Sequence, residues 1–279
     1  MSDRILVIGG GTRLKKAAEA FKDTNYEAVI FDESEPLKAA IDSADIILLG
    51  LPASSDGVWI DTDDDIRVSV RDVAALCSRK KLIMGGRLSE KVKALFDVYS
   101  LRWIDYSLCP EFEILNAVPT AEGAIQIAME EFPFTLHNSR VIVTGYGRVG
   151  KALASRLKAL GAKTTVAARS AAQRAEAEGA GLDTIMLEKL CDKAHTCQIL
   201  FNTVPACVCT KSVLGRLPSS SGIIDLASKP GGVDLDAAKT FGVNVIWALG
   251  LPGKVAPVSA GEIIKETVCN IARDLQINP

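Results

Sequence analysis

Ten short aliphatic runs, each followed by a stretch with helical patterning, constrain this 279-residue chain more than any other feature. They are ILVIGG, EAVIFD, ADIILLGLP, KLIMGG and LRWIDY, then RVIVTG, KTTVAAR, QILFNTVP, GIIDLAS and NVIWALG. Nearly continuous apolar strands that alternate with helices belong to parallel sheets covered on both faces, because a strand buried on one face only would alternate polar and apolar residues. The runs divide five and five, so the expected fold is α/β with two doubly wound parallel-sheet, Rossmann-like domains. After the tenth run, VSAGEIIKETVCNIARDLQ places Ile264, Val268, Ile271 and Leu275 at helical spacing. This C-terminal helix needs a face to cover and is expected to return to the first domain. The expected boundaries are 1–132 for a substrate or partner domain with its bridge helix, 133–257 for a cofactor domain, and 258–279 for the returning helix.

The bridge is read from NAVPTAEGAIQIAMEEFPF. Pro119 suits a first helical turn, Glu122 would then face the positive end of the helix dipole, and Pro133 ends the pattern. The acidic run DTDDD, with Asp61, Asp63, Asp64 and Asp65, reads as a solvated loop.

A glycine pattern gives the second half its chemistry. Gly145, Gly147 and Gly150 form G-x-G-x-x-G, with Tyr146, Arg148 and Val149 between them, directly after an apolar strand and before an amphipathic helix. Gly145 permits a tight turn, Gly147 lets the backbone approach a pyrophosphate, and Gly150 allows the helix to pack closely, while the helix N-terminus attracts phosphate charge. The following strand ends at Ala168, where an NAD site would present a carboxylate to the ribose diol. Arg169 and Ser170 stand there instead, and a guanidinium and a hydroxyl suit the 2′-phosphate of NADP. The expected cofactor is therefore NADP. Two later strand ends, Asn202, Thr203, Val204 and Pro205, and then the segment Asp225–Gly232 with Ala227, are expected to line the cofactor cleft.

Other residues narrow the reaction. The two histidines, His137 and His195, both precede strands, away from the edge where α/β folds bind ligands, so they read as structural. Hydroxy-acid oxidation with a histidine base is disfavoured, and hydride transfer with easier proton removal fits better. Of seven cysteines, Cys191, Cys197, Cys207 and Cys209 cluster near His195, but at spacings that match no familiar zinc pattern, so no metal is expected. With 32 basic and 34 acidic residues, nothing in the charge balance suggests nucleic acid or a membrane as partner. No apolar run reaches spanning length and no signal peptide is evident, so a cytoplasmic location is expected.

The motifs IGGGTR, LGLPAS, NAVPTAEGAI, GYGRVG with AARS, NTVP, DLASKPGG and GLPGKVAPVSAG together resemble one family along nearly the whole chain. It is the A subunit of dipicolinate synthase from spore-forming bacteria. The resemblance implies an NADP-dependent oxidation of dihydrodipicolinate to dipicolinate (pyridine-2,6-dicarboxylate) in the mother cell during sporulation, together with a flavoprotein-like B subunit. The chain is also expected to form a homo-oligomer. A planar dicarboxylate needs cationic or N–H partners, and the candidates are Arg13, Ser54, Thr120 with the bridge-helix N-terminus, Ser228 and Lys229. Glu122 is either the proton acceptor or a helix cap. Two other readings stay open: a dehydrogenase of another small carboxylate, and a non-catalytic nucleotide-binding subunit of a flavoprotein complex.

Overall fold

The computed structural model describes residues 4–63 and 66–276. The chain forms two compact units, one from the N-terminus to Asn116 together with Pro252 onward, the other Ala117–Leu251.

The first unit is built on five parallel strands, β1 (Arg4–Ile8), β2 (Glu27–Ile30), β3 (Ile46–Leu49), β4 (Leu82–Gly85) and β5 (Arg102–Asp105), in the order β2-β1-β3-β4-β5. The central strands β3 and β4 are buried throughout, whereas the edge strands β2 and β5 are partly exposed, which matches their mixed composition. One face packs on helices Leu37–Ser43, Val70–Leu76 and Glu90–Val98. The other carries helix Thr12–Ala20 and the C-terminal helix Pro257–Asp274, whose Ile264, Val268 and Ile271 join Leu14, Ala17 and Ala18 in one core. The returning helix thus covers the face it was expected to cover. Leu275 does not share that burial: it caps the helix and is 41% exposed.

The second unit holds β6 (Arg140–Thr144), β7 (Lys163–Ala168), β8 (Asp183–Met186), β9 (Ile199–Asn202), β10 (Gly222–Asp225) and β11 (Asn244–Trp247), in the order β11-β10-β9-β6-β7-β8, all parallel. Strand β8 was not foreseen. Its sequence, DTIM, has only two aliphatic residues and lies on the sheet edge, so it lacks the apolar run that betrays a central strand. In each sheet the chain reverses direction at a switch point, between β1 and β3 and between β6 and β9, and in open α/β sheets ligands bind at the C-terminal edge there.

The bridge helix departs from expectation. It runs Pro110–Glu131, 22 residues, so Pro110 is the first-turn proline and Pro119 lies in the interior. Glu111 and Glu113 occupy the dipole position assigned to Glu122. The cause is that CPEFEIL already carries a start signal, proline followed by acids, one residue after the β5 turn ends. The division between units falls inside this helix, between Asn116 and Ala117.

The crossing of the C-terminal helix on Thr12–Ala20 depends on Gly261, where an added Cβ would lie 2.6 Å from the Ala17 amide nitrogen. Gly261→Ala should destabilise the protein by about 1–3 kcal/mol through overpacking, measured by urea unfolding. An exposed helical glycine would give the opposite sign, a gain of about 1 kcal/mol.

Candidate functional site

The Gly-rich turn of the second unit follows from the packing each glycine permits. Gly145 has φ +86°, and a side chain on it would strike the Thr203 hydroxyl at 2.6 Å. At Gly150 a Cβ would lie 2.3 Å from the Gly145 carbonyl, which is the close approach of helix to turn. Gly147, the N-cap of helix Arg148–Ala159, is different: a Cβ there would meet nothing within 4 Å. Two glycines thus build the turn, while the third leaves the first-turn amides open to an approaching phosphate. Tyr146 is buried beside them, its hydroxyl pushed up by burial, with the Lys151 ammonium 5.7 Å from its ring centre.

A buried polar network holds the neighbouring strand ends in register. Asn202 donates to Asp225 Oδ1 (2.7 Å) and to the Val204 carbonyl (3.0 Å), and accepts from Thr144 Oγ1 (2.6 Å) and the Val204 amide (3.1 Å). Asp225 also accepts from the Ala227 and Gly232 amides at 3.0 and 2.8 Å. The Ala227 carbonyl accepts from Trp247 Nε1, and Thr203 Oγ1 donates to the Thr144 carbonyl. The polar groups of Asn202, Val204 and Ala227, residues expected to line the cofactor cleft, are committed to this network. All four hydrogen-bonding positions of the Asn202 amide and both backbone polar groups of Val204 and Ala227 are spent within the protein, so these residues shape the edge rather than offer polar contacts. Thr144 was missed as a site-building residue, since a polar residue at a strand end carries no periodic signal, and Asp225, expected to line the cleft, is the acceptor that holds it together. Ser228 and Lys229 sit exposed in the loop that this network pins, and neither makes a side-chain hydrogen bond or ion pair among the described residues.

At the end of β7, Ala168 is followed by exposed Arg169 and by Ser170, whose hydroxyl caps helix Ala171–Gly179 by accepting from the Gln173 amide. The guanidinium of Arg174, also unforeseen, donates to the carbonyls of Ala168 and Arg169 at 2.8 and 2.7 Å. It braces the turn and leaves the Arg169 side chain unpaired among the described residues.

In the first unit, the opening glycines serve another purpose. The carboxylate of Asp63 accepts from the Thr12 amide at the start of helix Thr12–Ala20, and a Cβ on Gly11 would lie 2.6 Å from its Oδ2. Asp63 is thus an exposed loop residue, as expected, whose carboxylate also caps the helix, while Asp64 and Asp65 of the same run lie outside the described residues. Arg13, half-buried, donates to the Leu51 carbonyl at 2.5 Å. Ser54 is 4% exposed, donates to Asp56 Oδ1 and accepts from the Gly57 amide, so its hydroxyl is engaged within its own loop.

Two further expectations fail for the reason given by the bridge helix. Thr120 lies in the helix interior and not at an open N-terminus, and Glu122 caps nothing but pairs with Arg156 at 3.4 Å. The histidines lie at strand starts as read: His137 packs on Gly161, and His195 caps helix Leu190–Ala194. Burial pushes the Cys197 thiol up to about 12 and raises that of Cys209 as well. Among the described residues no group of three or more His, Cys, Asp or Glu could hold a metal ion, and no helix is long and apolar enough to cross a membrane.

Residues 120–217 match the family model described as D-isomer specific 2-hydroxyacid dehydrogenase, NAD binding domain. The dipicolinate synthase A subunit of Bacillus subtilis (strain 168) is 36% identical over 166 residues, which are 60% of this chain and 56% of that protein, so the match spans little more than half of the relative's length. The crystal structure of the A subunit of dipicolinate synthase from Bacillus halodurans aligns with a TM-score of 0.88 at 26% identity, covering 97% of this chain and 98% of that one. The crystal structure of the Bacillus subtilis protein gives the same score and identity over 99% and 98%. The chain is a homologue of the dipicolinate synthase A subunit. As in other dehydrogenase-type proteins, the second unit of this homologue is an NAD(P)-binding domain.

Two substitutions separate the roles of these residues. Gly147→Ala, at a φ of −81° that alanine adopts freely, should leave the urea midpoint unchanged yet weaken NAD(P) binding about tenfold or more, read by calorimetry. Asp225→Ala should cost about 3 kcal/mol of stability, because it strands three buried donors.

Proposed function

We propose that this chain is the NADP-dependent dehydrogenase subunit of a dipicolinate synthase and oxidises dihydrodipicolinate to pyridine-2,6-dicarboxylate. The observation that carries the cofactor choice is the turn after β7. No carboxylate stands at Ala168 or Arg169, Arg174 is committed to two carbonyls, and Arg169 remains exposed beside the Ser170 hydroxyl. A 2′-phosphate meets a guanidinium there and no repelling acid. The substrate choice is supported by the homology, and by the lack of a histidine at the C-terminal edge of either sheet.

When bound, NADP would supply the hydride acceptor. The chain's own residues do the rest. Gly145, Gly147 and Gly150, with Tyr146, Arg148 and Val149, form the pyrophosphate turn, and Arg169 with Ser170 takes the 2′-phosphate. Thr203, Pro205 and the Asn202–Asp225 network form the wall beside the nicotinamide. Ser228 and Lys229, held out from that wall, supply a hydroxyl and a cation for a substrate carboxylate. The reaction balances as loss of a hydride to NADP and of one ring proton to solvent or a side chain, with aromatisation as the driving force. In this reading the second unit is the cofactor domain, the first is the substrate or partner domain, and a flavoprotein-like B subunit works with them in the cytoplasm.

The test is reconstitution with dihydrodipicolinate generated in situ by its upstream synthase, NADP or NAD, and this protein with and without a B subunit. Dipicolinate and NADPH should appear in step, and Arg169→Ala should lower the preference for NADP over NAD about ten- to hundredfold. Dipicolinate forming only at the spontaneous rate in every mixture, despite measured NADP binding, overturns the dehydrogenase reading. An unchanged preference in Arg169→Ala overturns the cofactor assignment.

A further inference from the structure

The C-terminal edge of the first sheet carries two arginines that the turn geometry brings to the same locus. Arg13 follows β1, and its guanidinium reaches the Leu51 carbonyl after β3. Arg87 follows β4 through Gly86, where a Cβ would lie 2.6 Å from Leu51 Cδ1 and 3.0 Å from Tyr106 Cζ. Both arginines therefore stand on the Leu51 turn, with the buried Tyr106 beneath it donating to the Leu49 carbonyl.

The Arg87 backbone is held in an unusual state. Its φ is +49°, in the left-handed region that a long side chain avoids. Asp105 keeps it there: one carboxylate oxygen accepts from the Arg87 amide at 3.1 Å and the other from the Leu88 amide at 2.9 Å, while Ser107 Oγ accepts from the Arg87 amide at 3.0 Å. Asp105 is 8% exposed and is itself fixed by the Ser107 amide and hydroxyl.

Among the described residues neither guanidinium has a counterion. Arg13 makes one hydrogen bond, to a neutral carbonyl, and no carboxylate lies within ion-pair distance of Arg13 or Arg87 among the described residues. Burial pushes the Arg13 guanidinium below its ordinary value, Tyr106 opposes that fall, and the nearby charge of Arg87 adds to it. Two like charges set together, one of them desolvated, form a site for an anion. Planar forks of N–H donors suit a carboxylate, which each can bind with two parallel bonds.

We infer that Arg13 and Arg87 form a two-guanidinium seat for one carboxylate of a small-molecule ligand, with Asp105 positioning Arg87. Only the identification of that ligand as a pyridine dicarboxylate rests on the reading under Proposed function; the seat rests on the residues just described. Arg13 was a candidate from the sequence, whereas Arg87 gave no signal there beyond following GG.

The experiment is calorimetric titration of the full-length protein with pyridine-2,6-dicarboxylate, benzene-1,3-dicarboxylate and inorganic phosphate, on the wild type, Arg13→Met and Arg87→Asn. Asparagine tolerates the left-handed backbone, so Arg87→Asn removes the guanidinium while keeping the turn, and an unchanged thermal midpoint verifies this. Each variant should weaken the pyridine dicarboxylate about ten- to hundredfold. Binding of the pyridine dicarboxylate that neither variant weakens overturns the seat and leaves the proposed substrate standing. Arginine-dependent binding of the benzene dicarboxylate without any of the pyridine compound supports the seat and overturns the proposed substrate. Phosphate bound more tightly than either carboxylate and weakened by the arginine variants, or no binding of any probe, overturns the seat.

Discussion

The buried carboxylate of Asp225 determines what the second unit can present. It takes three donors, from Asn202 Nδ2 and the Ala227 and Gly232 amides, and through Asn202 it reaches the Thr144 hydroxyl at the end of β6. Three strand ends and the loop after β10 are thereby fixed against one another by groups withdrawn from water. Unsatisfied, each of those groups would cost about 1–3 kcal/mol, so the network tolerates few arrangements. Its consequence for function is subtractive. Most polar atoms at this edge are used up internally, and what projects from it is a short set of side chains, Ser228 and Lys229 from the loop.

The two units show how one local pattern serves opposite ends. Each opens its helix with a glycine, Gly11 before Thr12–Ala20 and Gly147 before Arg148–Ala159, and each N-terminus carries the partial positive charge of unpaired amides. In the first unit Asp63 satisfies that charge from within, and Gly11 is small because the carboxylate needs the space. In the second unit no side chain among the described residues fills the corresponding space at Gly147. An anion from outside has a place at one turn and would compete with a built-in carboxylate at the other, which accounts for a nucleotide role in one unit only.

Much of this was legible in the sequence. Central strands were visible because β1, β3, β4, β6, β9 and β10 are buried on both faces and so read as unbroken aliphatic runs. The G-x-G-x-x-G turn was visible because backbone geometry admits few alternatives to glycine at Gly145 and Gly150. The failures share a cause. Strand β8 is an edge strand held by pairing more than by burial, and Pro119 looked like a helix start because a proline inside a helix is the rarer use. The partners of Ser54, Asn202 and Asp63 went unread because spacing along the chain gives the position of a polar group but not its partner. Asp63 meets Thr12 across 51 positions and Asn202 meets Asp225 across 23, and no periodicity encodes such pairs.

Just beyond β1, β4, β7 and β10, the charge that survives these internal pairings has one sign. Arg13, Arg87, Arg169 and Lys229 follow those four strands and have no carboxylate partner among the described residues, although the chain as a whole carries a net charge of −2. Some cations elsewhere do have a carboxylate partner, as Lys151 has Glu176 at 2.6 Å and Arg156 has Glu122 at 3.4 Å. Among the described acids at these edges, Asp63, Asp105 and Asp225 accept from backbone amides. Parallel α/β sheets bind their ligands at strand C-termini. Cations left unmatched there argue for ligands that bring several negative charges, as a phosphorylated dinucleotide and a dicarboxylate both do.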